Sequence, residues 1–353
     1  MILKNLRRQI DSIDKKIIEL LNMRVKLTSK IAKLKRQKGL ALYSPDRERE
    51  VLKKVTAINN GPLAPSAALA IYREIMSGSL SLEKPLRVAY MGPEATFSHL
   101  AALKRFGSQV EYIACEGIPD VFLKVDRDSV DYGVVPIENS IEGAVSHTLD
   151  MLVDSDLKIC AQVILYVSHN LLANCLISKI KRIYSNPQVF GQCRIWLQEN
   201  LPTVEKIDVS STTAAAKIAV KEKNSSCIAS SLAGKVYKLK TIAKDIEDSP
   251  HNITRFLVIG KNDVGQTGSD KTSLIFSVKD KVGALHNMLL PFKKYRINLT
   301  KIESRPSKKK AWDYYFFVDL EGHRDNLRVK KALTELEGMC RFLKILGSYP
   351  VGE

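Results

Sequence analysis

From Leu3 to Leu34, apolar residues recur at three- and four-residue steps: Leu3, Leu6, Ile10, Ile13, Ile17, Leu20, Leu21, Leu27, Ile31 and Leu34. That spacing puts them on one face of a single long amphipathic helix, which Gly39 stops. Ser44-Pro45 opens a second helix, with Ser44 as N-cap, Pro45 as the first helical residue, and Asp46 and Glu48 at the positive N-terminal end. It fades near Asn59-Asn60-Gly61-Pro62, and a third helix starts at Pro65-Ser66 and runs to about Leu82. Three helices in 85 residues, one far longer than the others, make a poor monomer. The long helix needs a partner, and the spacing predicts a second copy of itself.

The chain has 353 residues, enough for two or three domains, and its 45% apolar content can build real cores. No apolar run approaches the roughly eighteen residues that cross a bilayer, so no membrane partner is expected. The start, MILKNLRRQIDSIDKK, has no apolar h-region and reads as no secretory signal. The six cysteines, Cys115, Cys160, Cys175, Cys193, Cys227 and Cys340, are scattered without a C-x-x-C pair. No metal or disulfide framework is expected, and a reducing cytoplasm is the simplest setting.

The net charge is +17, and residues 1–85 hold 18 Lys/Arg against 8 Asp/Glu, so +10 of it sits there. That segment has only two aromatics, Tyr43 and Tyr72, and so no stacking platform for bases. Nucleic acid is not an expected partner. The cations are either a solvated helix face or a pocket for a small polyanion. Arg24 and Lys35, eleven residues apart, share a helix face. Arg7 precedes Arg24 by 17 residues, roughly 25 Å at about 1.5 Å per residue. If all three serve one small anion, Arg7 must come from the other chain.

Pro85 marks a change of composition. Leu86–Met91 reads as a buried strand ending in the turn Gly92-Pro93, and Ala95-Thr96-Phe97-Ser98 opens a helix through Phe106. A strand at Val110–Ala114, a helix at about Ile118–Lys124 and a strand at Tyr132–Pro136 continue an α/β pattern with mainly parallel strands. Glu138, Asn139 and Ser140 fall just after a strand, where such folds build sites. Gln192 follows the turn Ser185-Asn186-Pro187, and Ser211 and Thr212 precede an Ala-rich helix. Asn252-Ile253-Thr254-Arg255-Phe256 is a turn feeding the strand Leu257-Val258-Ile259. Its neutral hydroxyl beside a fixed cation suits an acidic substrate that must lose a hydroxyl. Arg255 would hold a carboxylate and Thr254 would donate to the departing oxygen.

Asn262–Asp270 is a polar, Gly-containing linker. Beyond it the pattern is strand (Thr272–Val278), helix (Ala284–Lys293), strand (Asn298–Pro306), strand (Trp312–Leu320), helix (Asn326–Glu337) and strand (Phe342–Ser348). This βαββαβ order is the ferredoxin-like sandwich. The Lys308-Lys309-Lys310 run reads as a solvated hairpin loop.

Three resemblances organise these segments. Residues 1–84, with Arg7 in LRRQIDSID, Arg24, Lys35, Arg47-Glu48 in SPDRERE, and Ser79 and Glu83 in IMSGSLSLE, resemble the all-α chorismate mutase domain of bifunctional P-proteins. Residues 85–262, with GPEATFSHLAA, PIENSIEG, NPQVFGQC, SSTTAAA and HNITRF in order, resemble prephenate dehydratase, a two-lobed α/β domain with its substrate in the cleft. Residues 271–353, with Gly283-Ala284-Leu285 and Glu303-Ser304-Arg305-Pro306, resemble the α+β ACT regulatory domain.

The first resemblance implies an intertwined helical homodimer that rearranges chorismate to prephenate. Arg7, Arg24 and Arg47 would hold the carboxylates, Lys35 would donate to the ether oxygen, and Glu48 would take the ring hydroxyl. Ser44, where many relatives carry Asp, and Ser79 would complete the site. Glu83 would be the second ether donor, a role that requires its protonated form. The second implies dehydration and decarboxylation of prephenate to phenylpyruvate without a cofactor. Thr254 and Arg255 would act there, with Thr96, Phe97, Ser98, Glu138, Asn139, Ser140, Gln192, Ser211, Thr212, Asn252 and Phe256 lining the cleft. Ala95 departs from the family's usual Gly. The third implies feedback inhibition by phenylalanine, bound at a seam between paired domains by Gly283, Ala284, Leu285, Asn298, Leu299 and Glu303–Pro306. Two alternatives stay open at the level of sequence: an amino-acid-sensing binding protein with a basic arm, and a dehydratase whose helical segment only dimerises.

Overall fold

The computed structural model describes residues 1–39, 43–81, 86–278, 281–307 and 314–351. The readings that fall on Leu82, Glu83, Pro85, Lys308-Lys309-Lys310 and Trp312 lie outside the described residues. The chain forms two compact units, Met1–Leu86 with Phe106–Glu111, and Arg87–Arg105 with Tyr112–Glu353.

The first unit is helical: α1 (Ile2–Gln37), α2 (Pro45–Ile58) and α3 (Pro65–Ser81). Helix α1 is continuous and ends just before Gly39, which takes the left-handed conformation at φ +65°. None of its residues is buried. Leu3, Leu6, Ile10, Ile13, Ile17, Leu20, Leu27, Ile31 and Leu34 are each 47–63% exposed, so the apolar stripe is uncovered within one chain. Arg24, Val25, Thr28, Ala32 and Lys35 occupy a half-buried face instead. Leu52, Val55 and Ala68 are buried in this unit, and Tyr43 packs on Phe106 at 5.2 Å between ring centroids.

The second unit begins with a first lobe: β1 (Arg87–Met91), α4 (Phe97–Phe106), β2 (Glu111–Cys115), α5 (Ile118–Asp126), β3 (Tyr132–Asn139), β4 (Gly143–Ala144), α6 (Ser146–Asp154) and β5 (Lys158–Tyr166). The second lobe holds β6 (Asn170–Ala173), β7 (Arg182–Ser185), α7 (Pro187–Gln192), α8 (Arg194–Asn200), β8 (Glu205–Asp208), α9 (Thr212–Lys221), β9 (Ser225–Ala229), α10 (Ser231–Val236) and β10 (Lys240–Ala243). The chain then returns to the first sheet as β11 (Ile253–Gly260). The sheets run β2-β1-β3-β11-β5 and β10-β6-β9-β7-β8.

The expectation of mainly parallel strands is corrected. Strands β1 and β3 are parallel, as are β7 with β8 and β9, but β11 is antiparallel to both β3 and β5. The chain leaves the first sheet along β5 and re-enters it along β11, which reverses the strand direction between β3 and β5.

The last segment is β12 (Asp270–Ser277), α11 (Ala284–Lys294), β13 (Leu299–Pro306), β14 (Tyr314–Glu321), α12 (Leu327–Glu337) and β15 (Phe342–Pro350), in sheet order β13-β14-β12-β15. This is the expected ferredoxin-like sandwich. Its helices cover one face, where Leu274, Phe276, Val318 and Leu320 pack with Met288 and Phe292. The other face joins the first lobe's core: Ile275, Phe317, Leu346 and Tyr349 pack with Ile137, Leu149, Leu152, Ile159 and Leu257. Each buried large apolar side chain contributes about 1.5–3 kcal/mol. Strand β15 lies so close to β5 that a Cβ on Gly347 would fall 2.3 Å from the Ile159 carbonyl oxygen, which only glycine accommodates.

Candidate active site

In the helical unit, Arg24 donates to Ser79 Oγ at 2.8 Å and Lys35 donates to Ser44 Oγ at 3.0 Å. Ser44 is the N-cap of α2 by position, but its side chain makes no cap hydrogen bond and its oxygen accepts from Lys35. Tyr43 donates to Glu48 at 2.7 Å. Burial pulls the Lys35 ammonium below its ordinary value, while Asp46 pulls it up. Arg47 is largely exposed and pairs with Glu50 at 2.5 Å. Burial holds the Arg24 guanidinium below its ordinary value, with Tyr72 pulling it up and a smaller push down from Arg47. Arg24, Lys35, Ser44, Glu48 and Ser79 are thus each half-buried and hydrogen-bonded within the helical unit. Arg7 lies on the same unbroken helix, 17 residues earlier, and one chain does not bring it to them.

In the α/β unit, the register pairs Thr254 of β11 with Asn139 of β3, and Arg255 with Glu138. Both Glu138 and Asn139 are strand residues rather than loop residues that follow one. Successive strand residues point to opposite faces, so the two pairs look in opposite directions.

The Asn139–Thr254 pair faces the second lobe. Asn139 Oδ1 accepts the backbone N–H groups of Ile141 (2.9 Å) and Glu142 (3.0 Å), which fixes the orientation of its amide. Its Nδ2 must therefore donate, and it does so to Asn252 Oδ1 and to Thr254 Oγ1, both at 2.8 Å. Asn252 Nδ2 donates to Gln192 Oε1 at 3.0 Å, and Gln192 Nε2 donates to Glu142 at 3.2 Å. His169 Nε2 donates to the same Gln192 oxygen at 2.8 Å, and its ring meets Phe97 edge to face with 5.6 Å between centroids. The direction of every hydrogen bond follows from the two backbone donors at Asn139. The half-buried Thr254 oxygen receives a hydrogen bond, which leaves its own hydrogen available for donation.

The Arg255–Glu138 pair faces the C-terminal sheet, and this corrects both expected cleft roles. Arg255 donates to Gln162 (2.9 Å), Asp319 (2.5 Å) and Tyr349 (2.9 Å) and lies 3.5 Å from Glu138. Burial works against its charge, but Tyr349, Asp319 and Glu138 outweigh burial and hold the guanidinium above its ordinary value. Glu138 also accepts from Lys301 at 2.6 Å.

Other expected cleft residues act as fasteners. Thr96 Oγ1 donates to the Met91 carbonyl and accepts from His99 N, capping α4. Ser140 Oγ donates to the His251 carbonyl at 2.7 Å and accepts from Ile253 N, tying β3 to β11. Ser98 and Phe256 are buried, at 3% and 2% exposure, so neither lines an open cleft. Ser211 caps α9 through Ala214 N, with Thr212 as that helix's first residue. The next residue, Thr213, donates to the Glu94 carbonyl across the lobes. Ala95, at φ +68°, sits where the usual family Gly avoids the strain of the left-handed region.

In the C-terminal sandwich, Gly283 opens α11 at φ +76°, followed by buried Ala284 and part-exposed Leu285. Asn298 donates to Glu321 at 3.1 Å. The Glu303–Pro306 motif lies on edge strand β13 and is split by strand alternation. Ser304 pairs in register with Phe316, on the helix side of the sheet, as Ile302 does with Val318; Glu303 and Arg305 fall on the other side. Arg305 contacts Ser146 Oγ and Asp150 (3.1 Å) on α6, which corrects its expected place in an effector pocket. Sequence reasoning did not single out Gln162, Glu142, Lys301, Asp319 or Tyr349. Glu142 lies inside the PIENSIEG motif without a local sign of its role, and no motif marks the other four, which β5, β13, β14 and β15 bring to the site.

His99 and His169 are buried, and burial holds both imidazoles below their ordinary value, with weaker opposite pulls from Glu94 on His99 and from Gln192 on His169. His99 Nδ1 accepts the Ala95 N–H at 3.1 Å, which requires the unprotonated nitrogen. The folded state therefore binds these protons less readily than the unfolded state. Their contribution to stability is complete above the unfolded value of 6.5 and is lost as pH falls below it. Urea midpoints at pH 7.5 and pH 5.5 check this: the midpoint is expected to fall at the lower pH, by less in His99→Gln. Equal midpoints at both pH values in the parent protein would count against it.

No helix among the described residues is long and apolar enough to cross a membrane. Three family models match in order: "Chorismate mutase type II" over residues 6–84, "Prephenate dehydratase" over 88–264 and "ACT domain" over 272–338. The bifunctional chorismate mutase/prephenate dehydratase of Aquifex aeolicus is 51% identical over 353 residues, covering 99% of this chain and 98% of that protein. The protein of the same description from Pseudomonas aeruginosa is 45% identical over 355 residues, covering 99% and 97%. The crystal structure of prephenate dehydratase in complex with L-Phe from Arthrobacter aurescens superposes with a TM-score of 0.70 at 31% identity, covering 75% of this chain and 90% of that one. With every segment of the chain matched in the same order, the chain belongs to the bifunctional chorismate mutase/prephenate dehydratase family.

Proposed function

We propose that this chain converts chorismate to prephenate on its helical unit and prephenate to phenylpyruvate in the α/β cleft, under feedback control by phenylalanine. The observation that carries the dehydratase reading is the hydrogen bond that Asn139 Nδ2 gives to Thr254 Oγ1 at 2.8 Å, which makes that hydroxyl available as a donor. Aromatisation drives this reaction. The bond to the ring carboxylate breaks, its electron pair enters the ring as CO2 departs, and the C–O bond at the opposite ring carbon breaks. The departing hydroxyl needs a donor at that moment, and Thr254 is aimed to supply it. Asn139, Asn252 and Gln192 hold that geometry and, with Phe97, Ser211 and Thr212, border the cleft.

For the mutase, no nucleophile is required. A compact conformer must be fixed and charge on the breaking ether oxygen stabilised. Lys35 is the ether donor, and Arg24 and Arg47 hold carboxylates, with Ser44, Glu48 and Ser79 around them. Arg7 joins from a second chain. The uncovered stripe of α1 supports a homodimer in which a second copy covers it. The L-Phe complex of the Arthrobacter relative supports phenylalanine as effector of this chain, bound near Gly283–Leu285 and Ser304, where the N-terminus of α11 suits a carboxylate.

The test follows one reaction by two signals, loss of chorismate and appearance of phenylpyruvate, with and without phenylalanine. Both signals are expected, and phenylalanine should suppress the second. Prephenate consumption without chorismate consumption would reduce α1 to a dimerisation arm. In Ile13→Glu/Ile17→Glu, light scattering should show loss of the dimer, and chorismate turnover should fall with it. A mass unchanged by that charge pair would refute the dimer face.

A further inference from the structure

The effector reading leaves open how a signal in the C-terminal sandwich reaches Thr254. We propose that Lys301 and Asp319 are positioning residues for the dehydration step: they hold Glu138 and Arg255, and through them the Asn139–Thr254 pair, so that β13 and β14 carry the effector signal to the catalytic hydroxyl. The proposal rests on the reading of the cleft and the effector given above.

Four observations support it. First, the two register pairs are adjacent: Thr254 with Asn139 and Arg255 with Glu138. A shift of the second pair is a shift of the first, because one peptide unit separates them in each strand.

Second, the second pair is held from the C-terminal sheet by charges shielded from water. The Arg255 side chain is 11% exposed, Asp319 9% and Lys301 14%. Asp319 contacts Arg255 at 2.5 Å while its other oxygen accepts from Ser273 Oγ at 2.5 Å. Lys301 contacts Glu138 at 2.6 Å. Lys301 and Asp319 are themselves register partners on β13 and β14. Two cross-strand pairs, one in each sheet, are thus joined face to face.

Third, the strand pairing of β3 with β11 shifts register between Arg255 and Phe256. The extra residue is Ile137 of β3, while β11 keeps an unbroken register with β5 from Ile253 to Val258. A bulge re-aims side chains, so it sets the Glu138–Asn139 end of β3 apart from the buried run before it.

Fourth, β13 has two working faces. Lys301 and Arg305 look toward the catalytic lobe, on Glu138 and on Ser146 and Asp150 of α6. Ile302 and Ser304 fall on the helix side, the face shared with α11. A ligand that shifts β13 from the helix side moves Lys301 and Arg305 with it. A misplacement of about 1 Å at the reacting atoms can cost on the order of 10²-fold in rate, so a small shift suffices.

The experiment compares the parent protein with Lys301→Met, Lys301→Arg and Asp319→Asn. Each is assayed for dehydratase kcat and KM, for inhibition by phenylalanine, and for phenylalanine binding by calorimetry. Circular dichroism and melting of each variant serve as the folding control. Lys301→Met is expected to lower kcat about tenfold with KM within about twofold, and to retain phenylalanine binding within about threefold while saturating phenylalanine changes its rate less than about twofold. Lys301→Arg, which keeps the charge, should recover most of both. Asp319→Asn should behave as Lys301→Met does, which keeps the proposal testable if one variant folds poorly. Parent-like kcat together with full inhibition in Lys301→Met and Asp319→Asn would overturn the proposal. If the parent protein binds no phenylalanine, the effector reading falls and takes the signalling half with it. The kcat comparison still decides the positioning half.

Discussion

Thr254→Val is expected to lower dehydratase kcat by about 10²–10⁴-fold while chorismate consumption continues, so that prephenate accumulates. Valine keeps the shape and β-branching of threonine and removes only the hydroxyl. The loss should appear in kcat and not in KM, because the donor matters as the C–O bond breaks rather than when substrate binds. The relay around Thr254 sharpens the expectation. Asn139 donates to the Thr254 oxygen because its own oxygen is occupied by the Ile141 and Glu142 N–H groups. Asn139→Asp keeps size and backbone contacts but turns that donor into an acceptor. The Thr254 hydrogen would then point to the new carboxylate and away from the leaving group. A loss approaching that of Thr254→Val is therefore expected, with Thr254 still present. Stopped assays for prephenate and phenylpyruvate measure both variants. Near-normal turnover in Thr254→Val would refute the donor role, and a silent Asn139→Asp would refute the relay.

Much of this arrangement is legible from sequence. The α1 stripe is visible because a 3.6-residue period survives any tertiary context, and its exposure within one chain is what its length requires. Thr254, Asn139 and Gln192 are legible because they lie in short motifs with hydroxyl or amide groups beside strands and turns. Which way a strand residue points is harder to read. Arg255 and Thr254 are adjacent, and sequence alone treats both as cleft residues. The structure separates them because the C-terminal sheet covers the opposite face of β11, a fact of topology between elements far apart in the chain. The same alternation splits Ser304 from Arg305. Thr96 and Ser140 show a different limit: a hydroxyl that caps a helix or ties two strands has the same local signature as one that meets a ligand. Lys301, Asp319 and Tyr349 carry no signature, since a charge or phenol in a strand gains its partner only when another sheet is laid against it.

Arg255→Met is expected to destabilise the α/β unit by about 3–5 kcal/mol, because it strands a buried carboxylate. At about 2–4 °C per kcal/mol for a unit of this size, that is a drop of roughly 6–20 °C in Tm. Asp319 would keep the Ser273 hydroxyl and the longer-range pull of Lys271 but lose its hydrogen-bonded cation, while Glu138 would keep Lys301. The deficit therefore falls on Asp319. Removing it as well, in Arg255→Met/Asp319→Leu, should restore more than half of the lost stability. Ile137, Leu257, Phe317 and Leu346 line the same core, and Ser273 Oγ and Tyr349 OH, 2.6 Å apart, satisfy each other. A carboxylate-holding Arg255 would give the opposite pattern: unchanged Tm in the single variant, a large rise in KM for prephenate, and no benefit from the second substitution. Calorimetric melting of the parent, the two single variants and the double variant separates these outcomes. Restored stability with a still-depressed dehydratase kcat is the result expected of an anchor, because the apolar pair refills the core without recovering the directional hold on β11 that keeps the Thr254 hydroxyl in line.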